Sequence, residues 1–586
     1  MVRRAVAELS STMAAPTFAA ADYVVLVGFL LLSMSIGVYF AWADRRRQSN
    51  RIFLTANKQL GWFPVSVSMM ASFLSSNGIL GLPAEVFLHG STLWIGTLSS
   101  TIAILLAAVF FMPMYYKMDI TSINEYLEHR FKSAAVKNVA CGIFILCMLL
   151  YTGVVLYGPS LALGSVTRIP VWASILLNGL VCTLYTSIGG IKAVVWTDVV
   201  QMVLILVGYV MVIVSGLYHI GGINKAWEIG EKGGRLNFLN FSVSPYDTFT
   251  SWNILFCWTV LWMSSYCASQ TQVQRYTSIA SLKDARKALL LNIPGVSVTL
   301  ILAIISGIVL FAVYSDCDPR LTGDIKKADE LMPYIVQDLL RDYPGLSGTL
   351  VASVFSGSLS TLSSAYNALA AVTWHDFIQP RVKLSEEKAV LTTKCIAAAY
   401  GLLSISVAFL SGTLPSIVQA TTSLVGAMSG PLLAIFLLGI FFPFCKKKGV
   451  ITGALVGVFL ASWHALGSIA YPRTASGLPT STASCLDFNQ TLTLGSSEAP
   501  PVPNGILMFY HISFLWTGTI GFLSSVLVGL AVSLIFERND KDKVDPKHIC
   551  PFARKFMDNY DANKTAEISE KNRMGEHELK KLMVGD

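Results

Sequence analysis

Charge is what this chain has least of. Only 13% of its 586 residues are Asp, Glu, Lys or Arg, against 53% hydrophobic, a balance that cannot give a soluble globule an ordinary polar surface. The eight histidines fall in no metal-ligand spacing, and no glycine-rich loop follows a strand to cradle a nucleotide. A metalloenzyme and an ATP-driven pump both lose their basis, and no enzyme activity, cofactor or nucleotide partner is expected. Ten cysteines make no disulfide scaffold at this length: Cys141, Cys147, Cys182 and Cys257 sit inside apolar runs and read as small core residues. The first 20 residues carry Arg3 and Arg4 but no continuous apolar run, so no cleaved signal peptide is expected.

What is present is apolar length. A helix needs roughly 20 apolar residues to cross the hydrocarbon, and about thirteen candidates begin near Tyr23, Leu60, Leu93, Val139, Pro170, Asp198, Trp252, Ala288, Ser347, Val390, Leu414, Val450 and Tyr510. The expectation is an all-α, polytopic membrane protein in a lipid bilayer. Short-loop Lys and Arg set its orientation. Arg45, Arg46, Arg47 and Arg51 follow the first span; with that loop cytoplasmic, the alternating inner loops 117–137, 275–287, 381–388 and 446–448 are all basic. The outer loops include the acidic stretch 316–342 and the Pro, Ser and Thr-rich stretch 474–504.

The amino terminus is therefore expected outside and the carboxyl terminus in the cytoplasm, in the plasma membrane. The net charge of +8 follows from topology and asks for no nucleic acid. Glycosylation sequons at Asn240 and Asn489 fall in outer loops, as do Cys317 and Cys485, which could pair in an oxidising compartment. The charged tail after Glu537 is expected to be disordered or peripheral.

Polar residues interrupt three spans. The stretch 351–376, VASVFSGSLSTLSSAYNALAAVTWHD, places Ser353, Gly357, Ser360, Thr361 and Ser364 on one helical face, with Val351, Val354, Leu362, Ala365 and Leu369 opposite, facing lipid or packed protein. A hydroxyl face inside a membrane admits two partners. One is a neighbouring helix, since small residues let backbones approach; the other is a weakly held alkali cation taking oxygen ligands. Small-residue packing faces are the commoner of the two.

Span two holds Ser66, Ser68, Ser72, Ser75, Ser76, Asn77, Gly78 and Gly81 before Pro83, and reads either as a packing helix or as one that unwinds near 71–78 to free carbonyls. Span seven carries Trp262, Ser264, Ser265, Tyr266, Ser269, Gln270, Gln272 and Gln274, then Arg275 at its expected cytoplasmic edge. No Arg or Lys is expected deep in a span. Asp198 would open span six as a cap or sit at the inner mouth, with Gln201 one turn on, and Tyr157 would anchor at the membrane interface.

Five spans before the loop 221–250 and five after it make halves of odd count, which must be inverted relative to each other; interrupted spans two and seven then correspond. The organisation is an outer amino terminus 1–20, a first helix 21–42, a first repeat 59–220, the outer loop 221–250, a second repeat 251–445, two last helices within 449–537 around an outer loop 472–508, and a cytoplasmic tail 538–586.

LTANKQLGWFPVS, GLPAE, LYTSIGGIKAVVWTDVVQ, QTQVQRY, SGSLSTLSSAYNALAAVTWHD and SGPLLAIFLLGIFFPFCKKKG together resemble the sodium/solute symporters of solute carrier family 5. The resemblance runs over about residues 20 to 540 and leans to the sodium-coupled monocarboxylate, multivitamin and iodide branch. It implies a LeuT-like core of five plus five inverted helices, with one span before and two after. It also implies sodium held by the carbonyls of Ala71, Leu74 and Gly357 and the hydroxyls of Ser360 and Thr361. Asp198 and Gln201 match a TDxxQ element tied to sodium passage or a second ion, and Ser363 and Asn367 match further polar positions. Phe73, Gly78, Thr97, Ser100, Tyr151 and Trp262 match substrate positions.

The resemblance also implies a larger polar residue at Gly78 and Asn at Ser269 in many relatives, which suggests a cavity that is wider or differently bonded here. Thr422 stands where the sugar branch has glutamine, which disfavours sugar. The expected function is sodium-coupled import, by alternating access, of a small organic anion such as a monocarboxylate, biotin or pantothenate. The alternatives are an iodide or other inorganic anion carrier, or a non-transporting sensor on the same fold. The expected partners are sodium, the anion and lipid.

Overall fold

The computed structural model describes residues 18–43, 49–167, 169–412, 416–473, 477–485, 493–494, 504–537 and 544–554. Asn489, most of the amino-terminal segment 1–20 and most of the tail 538–586 lie outside these residues.

Helices follow one another along the chain as apolar length predicts. They are α1 (Ala20–Ala43), α2 (Trp62–Ala71), α3 (Leu82–His89), α4 (Ser91–Met118), α5 (Ala134–Val166) and α6 (Val171–Ile220). After a loop come α7 (Thr259–Ala268), α8 (Gln270–Thr277), α9 (Leu282–Tyr314), α10 (Leu346–Val372), α11 (Glu386–Ser411), α12 (Ile417–Phe441), α13 (Lys447–Ala470) and α14 (Trp516–Phe536).

Among the described residues, nine helices are long and apolar enough to cross a membrane unaided. The remaining crossings come from the sequence features that break apolar continuity. α6 bends at Gly190, whose φ of 62° an L side chain rarely adopts. That bend divides α6 into spans five and six, so span six starts at Ile191 and not at Asp198. α2 with α3, and α7 with α8, are the interrupted pairs, and α10 is too rich in Ser and Gly to register as apolar.

α10 is the centre of the bundle. From Leu350 to Val372 every side chain is buried, so the Val351, Val354, Leu362, Ala365 and Leu369 face meets protein and not lipid. A helix hydrophobic on one side and hydroxylic on the other is buried all round when the polar side has partners of its own.

One face of the protein carries the Cys317–Cys485 disulfide, with a Cα–Cα distance of 5.1 Å; Lys446, Lys447 and Lys448 lie at the other. On the disulfide face, Tyr157 is 8% exposed and lies under the Lys327 ammonium, 5.3 Å from its ring centre. It is a covered contact and not an interfacial anchor, because the loop after α9 folds over it. On the basic face, Ile549 and Cys550 of the tail are buried, and the Cys550 amide donates to the Ile440 carbonyl at 3.0 Å. That part of the tail docks on the bundle because an apolar pair interrupts its charge.

A polar knot ties the disulfide face together. The Ser416 hydroxyl donates to Glu85 at 2.9 Å and the Ile417 amide donates to Asp329 at 3.1 Å, joining α3, the loop helix before Leu331–Leu339 and the start of α12. Burial pushes the Asp329 carboxyl up to about 6 from its ordinary 3.8, with Glu330 adding to the rise and the Ile417 amide and Lys327 opposing it. The folded chain therefore binds this proton more readily than the unfolded one, and the associated stability, full below pH 4, is lost as pH rises through about 6. Between pH 5 and 7 the wild-type melting temperature should fall by about 1–2 °C more than that of Asp329→Asn. A thermal-shift series reads this; equal slopes would contradict it.

Candidate functional site

Two helix breaks and α10 converge at mid-depth. α2 ends at Ala71, and the chain resumes through a π-helical turn, Asn77–Gly81. The intervening residues favour the break: Ser72, Ser75 and Ser76 offer hydroxyls that compete with backbone bonding, and Gly78 and Gly81 weaken helix on the far side. Among the described residues, no backbone hydrogen bond outside regular helix ends on the Ala71 or Leu74 carbonyl. Free carbonyls at this depth are tolerated only where they line a cavity or bind something.

α10 packs directly onto the break. A Cβ at Gly357 would lie 2.3 Å from the Leu74 carbonyl oxygen, so glycine is what allows the two backbones to close. One turn on, the Thr361 hydroxyl sits 3.0 Å from both the Ser72 and Gly357 carbonyl oxygens and can donate to either. Ser360 is fully buried and its hydroxyl has no hydrogen-bond partner among the described residues. The structure thus brings Ala71, Leu74, Gly357 and Thr361 into one region, with Ser360 at its edge beside Asp198. Uncharged oxygens from carbonyls and hydroxyls suit a hard cation that is held and released.

Asp198 lies in the core and caps nothing. Its Oδ2 accepts from the Ser68 hydroxyl at 2.5 Å and from the Arg275 guanidinium at 3.0 Å, and both charged residues are essentially inaccessible. Arg275 also donates to the Ser72 hydroxyl at 2.5 Å and to the Ser364 hydroxyl. The sequence reading that no Arg lies deep in a span is therefore corrected. α8 begins after the break at Ser269 (φ −97°, ψ 128°), and the offset turns its last residues into the bundle. A half-helix reading QTQVQRYT, too polar for lipid, was the available signal. Gln201 is fully buried, with neither amide atom bonded among the described residues.

Beside this cluster is a cavity of about 180 Å³. Phe73, Gly78, Tyr151 and Trp262 line it, and Thr97 and Ser100 do not. The Thr97 hydroxyl bonds the Trp94 carbonyl and that of Ser100 bonds the Thr97 carbonyl, so both are spent on α4 itself. Asn77, Ser265, Ser269, Gln272 and Thr422, each noted in the sequence as a polar interruption or a departure from relatives, supply further polar lining, and so does Thr421, which the sequence reading did not single out. The Phe73 ring packs 4.8 Å from Trp262 and 4.7 Å from Tyr266, an aromatic wall on one side. No Asp, Glu, Lys or Arg is among the lining residues. The polar groups at the cavity are hydroxyls, the Asn77 and Gln272 amides and the start of α8, whose N–H groups carry the positive end of a helix dipole. At Gly78 a Cβ would meet only ordinary contacts, 3.6 Å from Leu74 and 4.0 Å from Tyr209, so the absent side chain leaves usable space.

Of the glycosylation sequons, Asn240 lies in the loop before α7, where its side chain accepts from the Ser242 amide at 3.1 Å.

Residues 53–457 match the model of the sodium:solute symporter family. The sodium-coupled monocarboxylate transporter 2 of Mus musculus is 37% identical over 93% of this chain and 88% of its own length. The human sodium/iodide cotransporter is 38% identical over 89% and 86%. Among solved structures, the substrate-bound outward-open state of a Na+-coupled sialic acid symporter superposes with a TM-score of 0.73 at 23% identity, covering 89% of this chain and 98% of that one. The last likeness establishes the fold as a LeuT-like core of inverted five-helix repeats.

Proposed function

The chain belongs to the sodium:solute symporter family, and from that premise we propose that it imports a small organic monocarboxylate with sodium across the plasma membrane, amino terminus outside and carboxyl terminus in the cytoplasm. The observation that carries the reading is the contact of α10 with the break after α2. There, free carbonyls, the Thr361 hydroxyl and the unpartnered Ser360 hydroxyl adjoin a cavity with no charged lining.

Sodium enters from the disulfide face and takes the carbonyls of Ala71, Leu74 and Gly357 with the Ser360 and Thr361 hydroxyls. Those oxygens belong to two separate helices, so the ion draws the break and α10 together and orders the cavity wall from Phe73 to Gly78. The anion then binds against the Trp262 and Tyr151 side, where amide and hydroxyl donors and the start of α8 offset its charge. Closing on the loaded pair and opening to the basic face releases both, with Asp198 and Gln201 on the exit side.

Size favours a small anion. Sites for drug-sized ligands run to roughly 300–1,000 Å³, and this cavity is about 180 Å³, which suits a short monocarboxylate better than biotin or pantothenate. The human sodium/iodide cotransporter among the relatives supports a second reading, iodide import; uncharged lining with aromatic edges suits a weakly hydrated anion as well.

Ser360→Ala is the test of the cation site, because its buried hydroxyl makes no hydrogen bond of normal geometry among the described residues. The sodium concentration for half-maximal uptake should rise about tenfold, equivalent to about 1.4 kcal/mol, with surface level unchanged. Uptake of L-[14C]lactate and [125I]iodide across a sodium series reads it. Unchanged sodium dependence would remove Ser360 from the site.

A further inference from the structure

Arg275 has no part in that cycle, yet it is the most deeply placed cation near it. Its Nη2 is shared among the Ser72 hydroxyl, the Ser364 hydroxyl and Asp198 Oδ2. These are not remote oxygens. Ser72 supplies the carbonyl that Thr361 meets, and the Ser364 hydroxyl donates to the Ser360 carbonyl at 2.7 Å. The ion pair is also left open. Arg275 Nη1, Asp198 Oδ1, Ser360 Oγ and both amide atoms of Gln201 are buried with no hydrogen-bond partner among the described residues. A finished structural ion pair satisfies its remaining donors and acceptors; this one leaves Arg275 Nη1 and both Gln201 amide atoms without a partner among the described residues, and its carboxylate lies beside the Ser360 hydroxyl of the cation site.

We propose that Arg275 is a tethered cation that opposes sodium from the next position: it holds Asp198, Ser72 and Ser364, whose groups border the five sodium oxygens without belonging to them, drawing back when sodium arrives and returning as it leaves. The inference rests on the sodium-symport reading and assigns its return step. An empty carrier with Asp198 ionised would hold a bare buried charge, which several kcal/mol of desolvation opposes. The guanidinium neutralises it without an ion from solution, so the unloaded protein resets. Arg275 is thus a positioning residue that acts through Asp198 and the two hydroxyls.

The test uses the full chain, purified and reconstituted, with 22Na+ as the probe. Arg275→Gln should bind 22Na+ on the order of tenfold more tightly than wild type and show a larger sodium-induced rise in melting temperature. In proteoliposomes holding L-lactate and iodide on both sides, it should keep 22Na+ exchange against internal sodium while net 22Na+ entry into sodium-free vesicles falls about fivefold or more. Arg275→Lys keeps the charge but not the fork that spans three oxygens, so its 22Na+ affinity should rise by a smaller factor, about threefold. If Arg275→Gln does not fold, Arg275→Lys decides alone.

Binding of 22Na+ no tighter than wild type in the variants that fold, or equal loss of exchange and net entry, would overturn the proposal. Wild-type protein that shows no sodium-dependent flux of L-lactate or iodide would instead count against the symport reading, whereas wild-type 22Na+ binding is measured without any anion and tests the opposition by itself.

Discussion

Asp198→Asn should cut the folded, detergent-extractable protein to below about a tenth of wild type, and adding Arg275→Gln should restore most of it. The single substitution leaves a guanidinium that is 2% exposed without its carboxylate. Breaking a buried pair from one side costs about 3–5 kcal/mol, a large share of the 5–15 kcal/mol that holds a typical domain. The double substitution removes both charges, and with them most of that cost. Fluorescence-detected size-exclusion of tagged protein measures both yields. A single variant with wild-type yield would mean that the pair is solvated and that the buried geometry around Asp198 is wrong.

Gly357→Ala should abolish sodium-driven uptake, to below about 5% of wild type, with only about a twofold loss of surface protein. The added Cβ would stand 2.3 Å from the Leu74 carbonyl oxygen and 3.3 Å from the Ser75 carbonyl carbon. These are backbone atoms, and no rotamer moves them aside. α10 must back away from the break or the break must shift, and overpacking of this kind costs about 1–3 kcal/mol. The fold can absorb that; an ion site whose ligands come from both sides of the contact cannot, because site geometry must hold to about 0.5 Å. Surface biotinylation beside the uptake assay separates the two effects. Normal sodium affinity in Gly357→Ala would show that the cation does not sit between these elements.

Both predictions concern contacts that the sequence revealed unevenly. The spans, the polar interruption of spans two and seven, and the hydroxyl face of α10 were legible because each leaves a local signature: apolar length, Ser, Gly or Gln within it, and spacing of three and four; that span two unwinds after Ala71, and where span seven breaks, were not. The choice between helix packing and a cation at that face was not legible from spacing, since both use small hydroxylic residues; the motif resemblance decided it. Arg275 was misplaced because a span was counted as straight. The break at Ser269 redirects α8, and a residue that hydropathy puts at the membrane edge reaches Asp198 instead. Thr97 and Ser100 failed to reach the cavity for a related reason. Motif position assigns a residue to a helix but not its hydroxyl to a partner, and here both hydroxyls turn back to α4 carbonyls. The kink at Gly190 could be read as a turn from its paired glycines, yet the burial of Asp198 depends on packing against α2 and α8, which no local pattern encodes.

The central claim is that sodium moving inward drives a small anion with it. Uptake into proteoliposomes of purified protein, with nicotinate, L-lactate, iodide, biotin and pantothenate each radiolabelled and offered with and without an inward sodium gradient, tests it most directly. The account predicts concentrative, sodium-dependent accumulation of a small monocarboxylate, weaker or absent uptake of biotin and pantothenate, and loss of the signal when choline replaces sodium. Equal entry with and without the gradient for every solute, from protein that is folded and inserted, would contradict it.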